Sequence, residues 1–269
     1  MLSLPARAQP APCASLRLLA LETSTHSLSL ALGSGSPGGP LWQRSGAGGA
    51  QASGSVLALV DELLAQAGWP LAGLDALVFG RGPGSFTGLR TACAVAQGLA
   101  YGAQLPVLAL DTLLALAEQA RWLQEQAGQP APPLIVALLD ARMGQLYAAP
   151  YANGTPGLQP LAAPFLCAPH KLGAHLAQRL PGVALHPDAP VLLAGNVFEA
   201  YGAALAGLPA ARLCALPCAS ALLRLAPALL AAGAAVAPAQ ALPLYVRDQV
   251  ALTTAEREHL RTAGAALPA

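Results

Sequence analysis

The sequence predicts an α/β fold made of two similar lobes, and two observations indicate it. Short apolar runs typical of strands alternate with segments whose apolar residues recur at helical spacing. A β-hairpin is predicted at residues 16–32 and a second at residues 134–151, and an acidic residue marks the turn of each, Glu22 and Asp140. Because the second half repeats the opening of the first, we expect a duplicated fold with a cleft between its lobes.

The 269 residues divide into four parts. The first lobe is predicted at residues 16–127 and the second at residues 134–245, separated by a Pro/Gly break. Residues 1–15 lack the apolar central run of a signal peptide and are expected to form a disordered leader. Residues 246–269 are expected to form a C-terminal tail.

After the first hairpin, the pattern predicts alternating helices and strands. Residues 53–68 form a helix that Ser53 or Ser55 caps at its start and Gly68 at its end. Further elements are a short strand at 41–44, strands at 74–79, 107–110 and 191–194, helices at 87–102 and 112–126, and a helix after Gly195-Asn196. Two uncharged stretches, 91–110 and 225–246, contain Gln, Gly or Pro and predict helix, turn and strand rather than membrane spans.

The composition excludes a strong electrostatic attraction to nucleic acids or anionic membranes. Charged residues make up 10% of the chain and the formal net charge is +1. Phosphate contacts supply most non-specific nucleic-acid affinity, so the isolated chain should bind RNA weakly.

Five scattered cysteines, without a CxxC pair, predict reduced thiols in a cytoplasmic protein. Cys214 and Cys218 are interpreted as two small buried apolar residues.

A glycine-rich stretch, GRGPGSFTGLRTA at residues 80–92, precedes a predicted helix. It is not a Walker loop, because Leu89-Arg90 follows Gly88 where that motif needs Lys and Ser or Thr. It is not a dinucleotide loop, because Thr87 stands where the third glycine belongs. The residues alone favour a turn of positive-φ glycines that sets the angle of the helix.

The helix after this stretch carries a row of small residues. Gly88, Ala92, Ala96 and Ala100 recur every four positions. Such a row lets another element approach closely. It can pack on the chain's own sheet or against a partner helix, and the sequence leaves both open.

Catalytic and metal-binding patterns are weak. No GxSxG is present, and His170 and His175 are too far apart around a helix to share one ion. Asp140 and Glu22 could together hold magnesium across the cleft, although single acids at turns are more often turn formers. We predict no metal site.

Four segments resemble the TsaB (YeaZ) family of bacterial tRNA threonylcarbamoyladenosine biosynthesis proteins. They are LLALETSTHSLSLAL, the long segment that begins GRGPGSFTGLRTA, VALLDARMGQLYAAPY and PLYVRDQVA. The resemblance covers about residues 18–251. Its most specific block comprises Gly82, Pro83, Gly84, Ser85, Phe86, Thr87, Gly88 and Arg90.

The resemblance implies the actin/Hsp70-like ATPase fold and a non-catalytic role without a cofactor. It implies binding to TsaD, the transferase that modifies the adenosine next to the anticodon, and to the P-loop ATPase TsaE. It further implies a homodimer as an alternative state, contact with tRNA only through the complex, and no membrane contact. The alternatives are an active kinase or ATPase of the same fold and, more weakly, a metallopeptidase.

The resemblance also assigns residues. The vestigial nucleotide cleft would comprise Thr23, Ser24, Thr25, Asp140, Arg142 and Gly195, with Ala141 and Arg142 crowding a turn where phosphate contacts need glycine. The TsaD interface would lie on helices 53–68 and 87–102, at Val56, Leu57, Val60, Leu64, Leu89, Ala92, Val95, Ala96 and Leu99. Ala96→Arg or Val60→Glu is expected to abolish binding in a folded protein.

Overall fold

A computed structural model describes residues 15–130, 132–155, 157–181 and 191–247. The predicted tail beyond residue 247, and the leader up to residue 14, lie outside the described residues.

The first lobe is built on a five-stranded sheet in the order β3-β2-β1-β4-β5. The hairpin strands β1 and β2 are antiparallel, whereas β4 and β5 run parallel to β1. The strands are β1 (Leu18–Glu22), β2 (Ser27–Gly33), β3 (Leu41–Ala47), β4 (Ala76–Gly82) and β5 (Val107–Asp111). The predicted hairpin and strands of this lobe are therefore confirmed.

The second lobe repeats this sheet. Its main strand order is β8-β7-β6-β10-β11. When these five strands are numbered along the chain, the order is 3-2-1-4-5, as in the first sheet. The additional strand β9 pairs with β7. The strands are β6 (Leu134–Arg142), β7 (Gln145–Asn153), β8 (Leu158–Pro160), β9 (Phe165–Cys167), β10 (Val191–Gly195) and β11 (Ala211–Cys214). The repeated order confirms the predicted duplicated fold of the actin/Hsp70 type.

Six α-helices lie in the described ranges. They are α1 (Ala52–Ala67), α2 (Phe86–Ala103), α3 (Thr112–Gln126), α4 (Leu172–Arg179), α5 (Phe198–Tyr201) and α6 (Ala219–Ala231). The first three match the predicted helices to within one residue, because their apolar residues hold the helical period. The sequence did not indicate α4, β8, β9 or β11. In addition, α6 continues through Pro227, and an isolated bridge between Val107 and Val236 takes the place of the strand expected within 225–246.

Helices α1 and α2 pack side by side on one face of the first sheet. Val56 and Val60 of α1 enter the same buried cluster as Ala92, Ala96 and Ala100 of α2. The row of small residues on α2 therefore packs on the chain's own sheet, which is the first of the two interpretations that the sequence left open.

This packing corrects part of the predicted partner surface. Five of the nine residues assigned to it, Val56, Val60, Leu89, Ala92 and Ala96, are at most 1% exposed. Their side chains stabilise the first lobe, so they are not available to a partner. Because Val60 and Ala96 are buried, Val60→Glu and Ala96→Arg are expected to destabilise the fold rather than to leave it intact.

One helix from each half of the sequence packs against the sheet of the other half. α6 packs against β1, β2 and β4 of the first sheet, on the face opposite α2, although the sequence division places it in the second lobe. α3 packs against the second sheet. Between the two helices, the buried carboxylate of Glu118 accepts hydrogen bonds from Arg224 Nε at 2.8 Å and Arg121 Nη2 at 2.9 Å.

The cysteines of the described ranges are free thiols. Cys93 and Cys167 are buried, whereas Cys214 is exposed and Cys218 is half-buried. The interpretation of Cys214 and Cys218 as buried apolar residues is therefore wrong. Cys214 ends β11, which is an edge strand of its sheet within the described ranges.

The helices of the described ranges include none that is long and apolar enough to cross a membrane.

We expect Val60→Glu to unfold the protein or to lower its free energy of unfolding by several kcal/mol, because the new carboxylate would be buried without a partner. Leu57→Glu is the matched control, since Leu57 lies on the same helix and is 52% exposed. Urea unfolding followed by circular dichroism measures both. Equal stabilities would contradict the burial of Val60.

Candidate functional site

The glycine loop, residues 80–88, packs directly on the turn between β1 and β2. The Ser85 amide donates a hydrogen bond to the Ser24 carbonyl oxygen at 2.7 Å. In return, Thr23 Oγ1 donates to the Gly88 carbonyl oxygen at 2.6 Å. The loop and the turn thus hold each other, and Ser85 caps the start of α2 with its side chain.

The glycines of this loop serve two different purposes. Gly82 has a φ of +122°, which L side chains rarely adopt. A Cβ at Gly84 would lie 2.6 Å from Ser24 Cβ, and one at Gly88 would lie 1.8 Å from the Thr23 carbonyl oxygen. The predicted positive φ is therefore confirmed for Gly82, whereas Gly84 and Gly88 allow close approach of two backbones.

A buried carboxyl group lies beneath the loop. Glu22 is fully buried, and its Oε1 accepts a hydrogen bond from the Ser24 amide at 2.7 Å. Its Oε2 faces Gly80, where an added Cβ would lie 1.9 Å away, and has no hydrogen-bond partner among the described residues. Burial raises the pKa of Glu22 above its ordinary value of 4.5, and hydrogen bonds from Ser24 oppose that rise.

A cavity of about 640 Å³ separates the two lobes at this loop. The first lobe lines it with Ser24, Thr25, His26, Ala47, Gly48, Gly49, Gln51, Gly84, Ser85 and Phe86. The second lobe lines it with Leu139, Asp140, Ala141, Arg142, Tyr147 and Asn196, and Arg247 near the C-terminal end of the described chain completes it. The predicted cleft therefore exists as a space between the lobes.

The cavity brings four of the six predicted cleft residues together. Ser24, Thr25, Asp140 and Arg142 line it, whereas Thr23 and Gly195 do not. Thr23 is buried under the glycine loop. Gly195 is buried too, and a Cβ there would lie 1.8 Å from the Leu138 carbonyl oxygen, so this glycine serves strand packing.

The Asp140 carboxylate is engaged by the chain itself. Its Oδ1 accepts hydrogen bonds from the Arg142 amide at 2.8 Å and from the Tyr201 hydroxyl at 3.0 Å, and its Oδ2 lies 3.5 Å from Arg142 Nη1. Arg142 itself adopts a φ of 62°, and its side chain is 80% exposed toward the cavity and solvent. The described residues contain no group of three or more His, Cys, Asp or Glu placed to hold a metal ion.

The outward faces of α1 and α2 form a second candidate site, which we call the helix-pair surface. Of the predicted partner residues, Leu57 is 52% exposed, and Leu64, Val95 and Leu99 are partly buried. These four remain available at the surface of the first lobe.

The exposed row of α2 was not predicted from the sequence. Ala94, Gly98, Tyr101 and Gly102 are exposed, and Tyr101 is 81% so. The i, i+4, i+7, i+8 spacing of these residues would have revealed a second face. Alanine and glycine recur on both faces, so composition gave no reason to prefer one.

Two lobes that repeat one strand order around a cleft define a protein of the actin/Hsp70-like ATPase fold. A family model described as "TsaD: tRNA N6-adenosine threonylcarbamoyltransferase" matches residues 50–255. This chain is similar to a solved structure of YeaZ from Pseudomonas aeruginosa, with a TM-score of 0.72 and 34% sequence identity. The match covers 86% of this chain and 99% of that one. A second structure, titled an uncharacterized protein with similarity to peptidase YEAZ from Pseudomonas aeruginosa, gives a TM-score of 0.74 at 32% identity, over 86% of this chain and all of that one.

Curated relatives point the same way. The chain is 43% identical over 135 residues to the tRNA threonylcarbamoyladenosine biosynthesis protein TsaB of Haemophilus influenzae, covering 49% of this chain and 52% of that protein. It is 36% identical over 146 residues to TsaB of Escherichia coli, covering 53% and 58%. The chain thus aligns with little more than half the length of these two relatives. The chain belongs to the TsaB (YeaZ) family.

We expect Gly88→Ala and Gly98→Ala, on the same helix, to change stability in opposite directions. Gly88→Ala places a Cβ against the Thr23 carbonyl and should destabilise the protein by about 2 kcal/mol or more. Among the described residues, a Cβ at Gly98 would meet no atom within 4 Å apart from its own helix backbone, so this substitution should stabilise α2 by about 0.5–1 kcal/mol. Thermal and urea unfolding measure both, and similar effects would contradict the contact between loop and turn.

We expect Glu22→Gln to alter the pH dependence of stability. The folded chain holds the Glu22 proton to higher pH than the unfolded chain does, so this group's contribution to stability is full below pH 4.5 and is lost as pH rises through its folded pKa. The Glu22→Gln variant should therefore gain stability relative to the wild type as pH rises. Urea unfolding at about pH 4.5 and about pH 7 tests the sign. A difference that does not vary with pH would show that Glu22 ionises normally.

Proposed function

We propose that this chain is a non-catalytic subunit of the complex that makes threonylcarbamoyladenosine next to the anticodon of tRNA. In this proposal it binds the transferase TsaD and the ATPase TsaE, in the cytoplasm, and meets tRNA only through the complex. Membership of the TsaB family supports the pathway, since the curated relatives are named tRNA threonylcarbamoyladenosine biosynthesis proteins. The formal net charge of +1 supports an indirect contact with RNA.

The engaged state of the Asp140 carboxylate is the observation that carries the non-catalytic role. Magnesium needs free carboxylate oxygens. At Asp140 both oxygens already face Arg142, and one also accepts the Tyr201 hydroxyl. Behind the opposite wall, Thr23 is buried and its hydroxyl is bonded to the glycine loop. The Asp140 carboxylate and the Thr23 hydroxyl are therefore used to hold the fold together.

An active kinase or ATPase is the second candidate, and the cavity between the lobes favours it. A volume of about 640 Å³ is within the range of small-molecule sites. This candidate requires magnesium-dependent turnover by the isolated chain. ATP hydrolysis well above background, lost in an Asp140→Asn variant, would establish it and overturn the non-catalytic role.

The helix-pair surface is the proposed contact with TsaD. Its outward side carries Leu57 and Tyr101, and among the described residues a Cβ at Gly98 would meet no atom within 4 Å apart from its own helix backbone. Small exposed residues let a partner helix approach closely. The same surface offers a route to a homodimer when TsaD is absent, because a symmetric contact uses one patch twice.

We expect Leu57→Glu and Gly98→Arg each to weaken binding to TsaD by roughly 30-fold or more, because a charge at the centre of an interface costs about 2 kcal/mol or more. Threonylcarbamoyl transfer to tRNA by the reconstituted complex should fall in parallel. Isothermal titration with purified TsaD measures the affinity, and circular dichroism confirms that each variant is folded.

Leu161→Glu is the matched control, because Leu161 is an exposed leucine of the second lobe, 40% exposed. It should leave affinity and transfer unchanged. If Leu57→Glu and Gly98→Arg also bind normally, the contact with TsaD lies elsewhere. If the wild-type chain leaves transfer by TsaD unaffected, the proposed function itself is wrong.

A further inference from the structure

Residues 241–247, called the strap here, run from the first lobe to the second. The strap begins on α2, where the Ala241 carbonyl oxygen accepts hydrogen bonds from Gln97 Nε2 at 2.9 Å and Cys93 Sγ at 3.1 Å. Three residues later, the Leu244 amide donates to the Arg81 carbonyl oxygen at 2.7 Å. The first half of the strap is thus fixed to α2 and to the end of β4.

An aromatic and cationic contact follows. The Tyr245 ring stacks on Phe86 with centroids 5.0 Å apart and an interplanar angle of 20°. Arg90 Nε donates to the Tyr245 hydroxyl at 3.2 Å, and its guanidinium lies 5.9 Å from each of the two ring centroids. Both partners belong to the first turns of α2, so Tyr245 is held on the first-lobe side of the cleft.

The last two residues of the strap reach the second lobe. Val246 packs against the buried cluster between α3 and the second sheet. The Arg247 guanidinium donates to Gln145 Oε1 at 2.7 Å, the Arg142 carbonyl oxygen at 3.4 Å and Met143 Sδ at 3.1 Å. These acceptors all lie on the turn of the second hairpin. Arg247 also lines the cavity, so the strap forms part of its wall.

We propose that the strap is a brace that holds the two lobes at one fixed opening of the cleft. Hinge closure around a ligand is one common transition of two-lobed proteins. Here α3 and α6 join the lobes through Glu118 and Arg224 on one face of the first sheet. The strap joins them again on the opposite face, where α2 lies. Two attachments on opposite faces oppose rotation about either one, so the cleft does not open and close as a free hinge would.

The test measures the distance between the lobes in the protein without any partner. Spin labels on Ala65→Cys of α1 and Gln178→Cys of α4, both exposed positions, report one distance on each molecule. Cys13, Cys214 and Cys218 are replaced by serine, while Cys93 and Cys167 are buried and remain. Tyr245→Ala removes the anchor on α2, and Arg247→Ala removes the anchor on the second hairpin.

In the labelled protein with an unaltered strap, we expect a narrow distribution of the distance between the two labels. In Tyr245→Ala and Arg247→Ala we expect this distribution to be at least about twofold broader. Leu242→Ala is the matched control, since Leu242 lies in the strap and is 61% exposed, and its distribution should stay narrow. If Arg247→Ala does not fold, Arg247→Lys keeps the charge and removes the forked donors, and the same broadening is expected. Distributions that match the control in every variant would overturn the brace. Since the experiment uses no TsaD, its result is independent of the proposed function.

Discussion

The close approach of the glycine loop to the β1–β2 turn is the constraint on which the rest of the first lobe depends. Because Gly88 has no side chain, its Cα can lie against the Thr23 carbonyl, and the first turn of α2 starts directly on the sheet. That position fixes the direction of α2. It also places Phe86 and Arg90 where Tyr245 can contact them, and it makes Gly84 and Ser85 a wall of the cavity. The loop is therefore architectural, and the helix that it sets in place carries both the strap and the helix-pair surface.

Two carboxylates of this fold are satisfied by the chain's own donors, and a third carboxyl group is buried. Glu118 accepts from Arg121 and Arg224 between the shared helices, and Asp140 accepts from Arg142 and Tyr201 at the cavity. Glu22 is buried beneath the loop with a raised pKa. A carboxylate satisfied by the chain's own donors is poorly suited to bind a cation, because binding would have to replace those hydrogen bonds.

Much of the fold could be predicted because strands and helices carry their own periodicity. Residues 112–126 were predicted as a helix with the bounds that α3 has, and both hairpins were found. Helix α4 and the short strands β8, β9 and β11 were not found, because elements this short show little period and lie among loop residues. For the site, the glycine loop and the hairpin turn were identified from the sequence. The contribution of Arg247 to the cavity was not, because it lies about a hundred residues from the turn that it contacts.

The sequence by itself determined the duplicated α/β architecture, the position of the glycine loop and the family, since each depends on local patterns and specific motifs. Only the tertiary structure decided which face of α2 is buried. Gly88, Ala92 and Ala96 differ little in composition from Ala94, Gly98 and Gly102, yet the first row packs on the sheet and the second faces solvent. Alanine and glycine have little apolar surface, so the free energy of folding changes little whether they are buried or exposed. These residues therefore cannot determine which face of the helix is buried. The larger neighbours do so, because Leu89 and Cys93 must be buried, and their contacts with distant strands exist only in the folded chain.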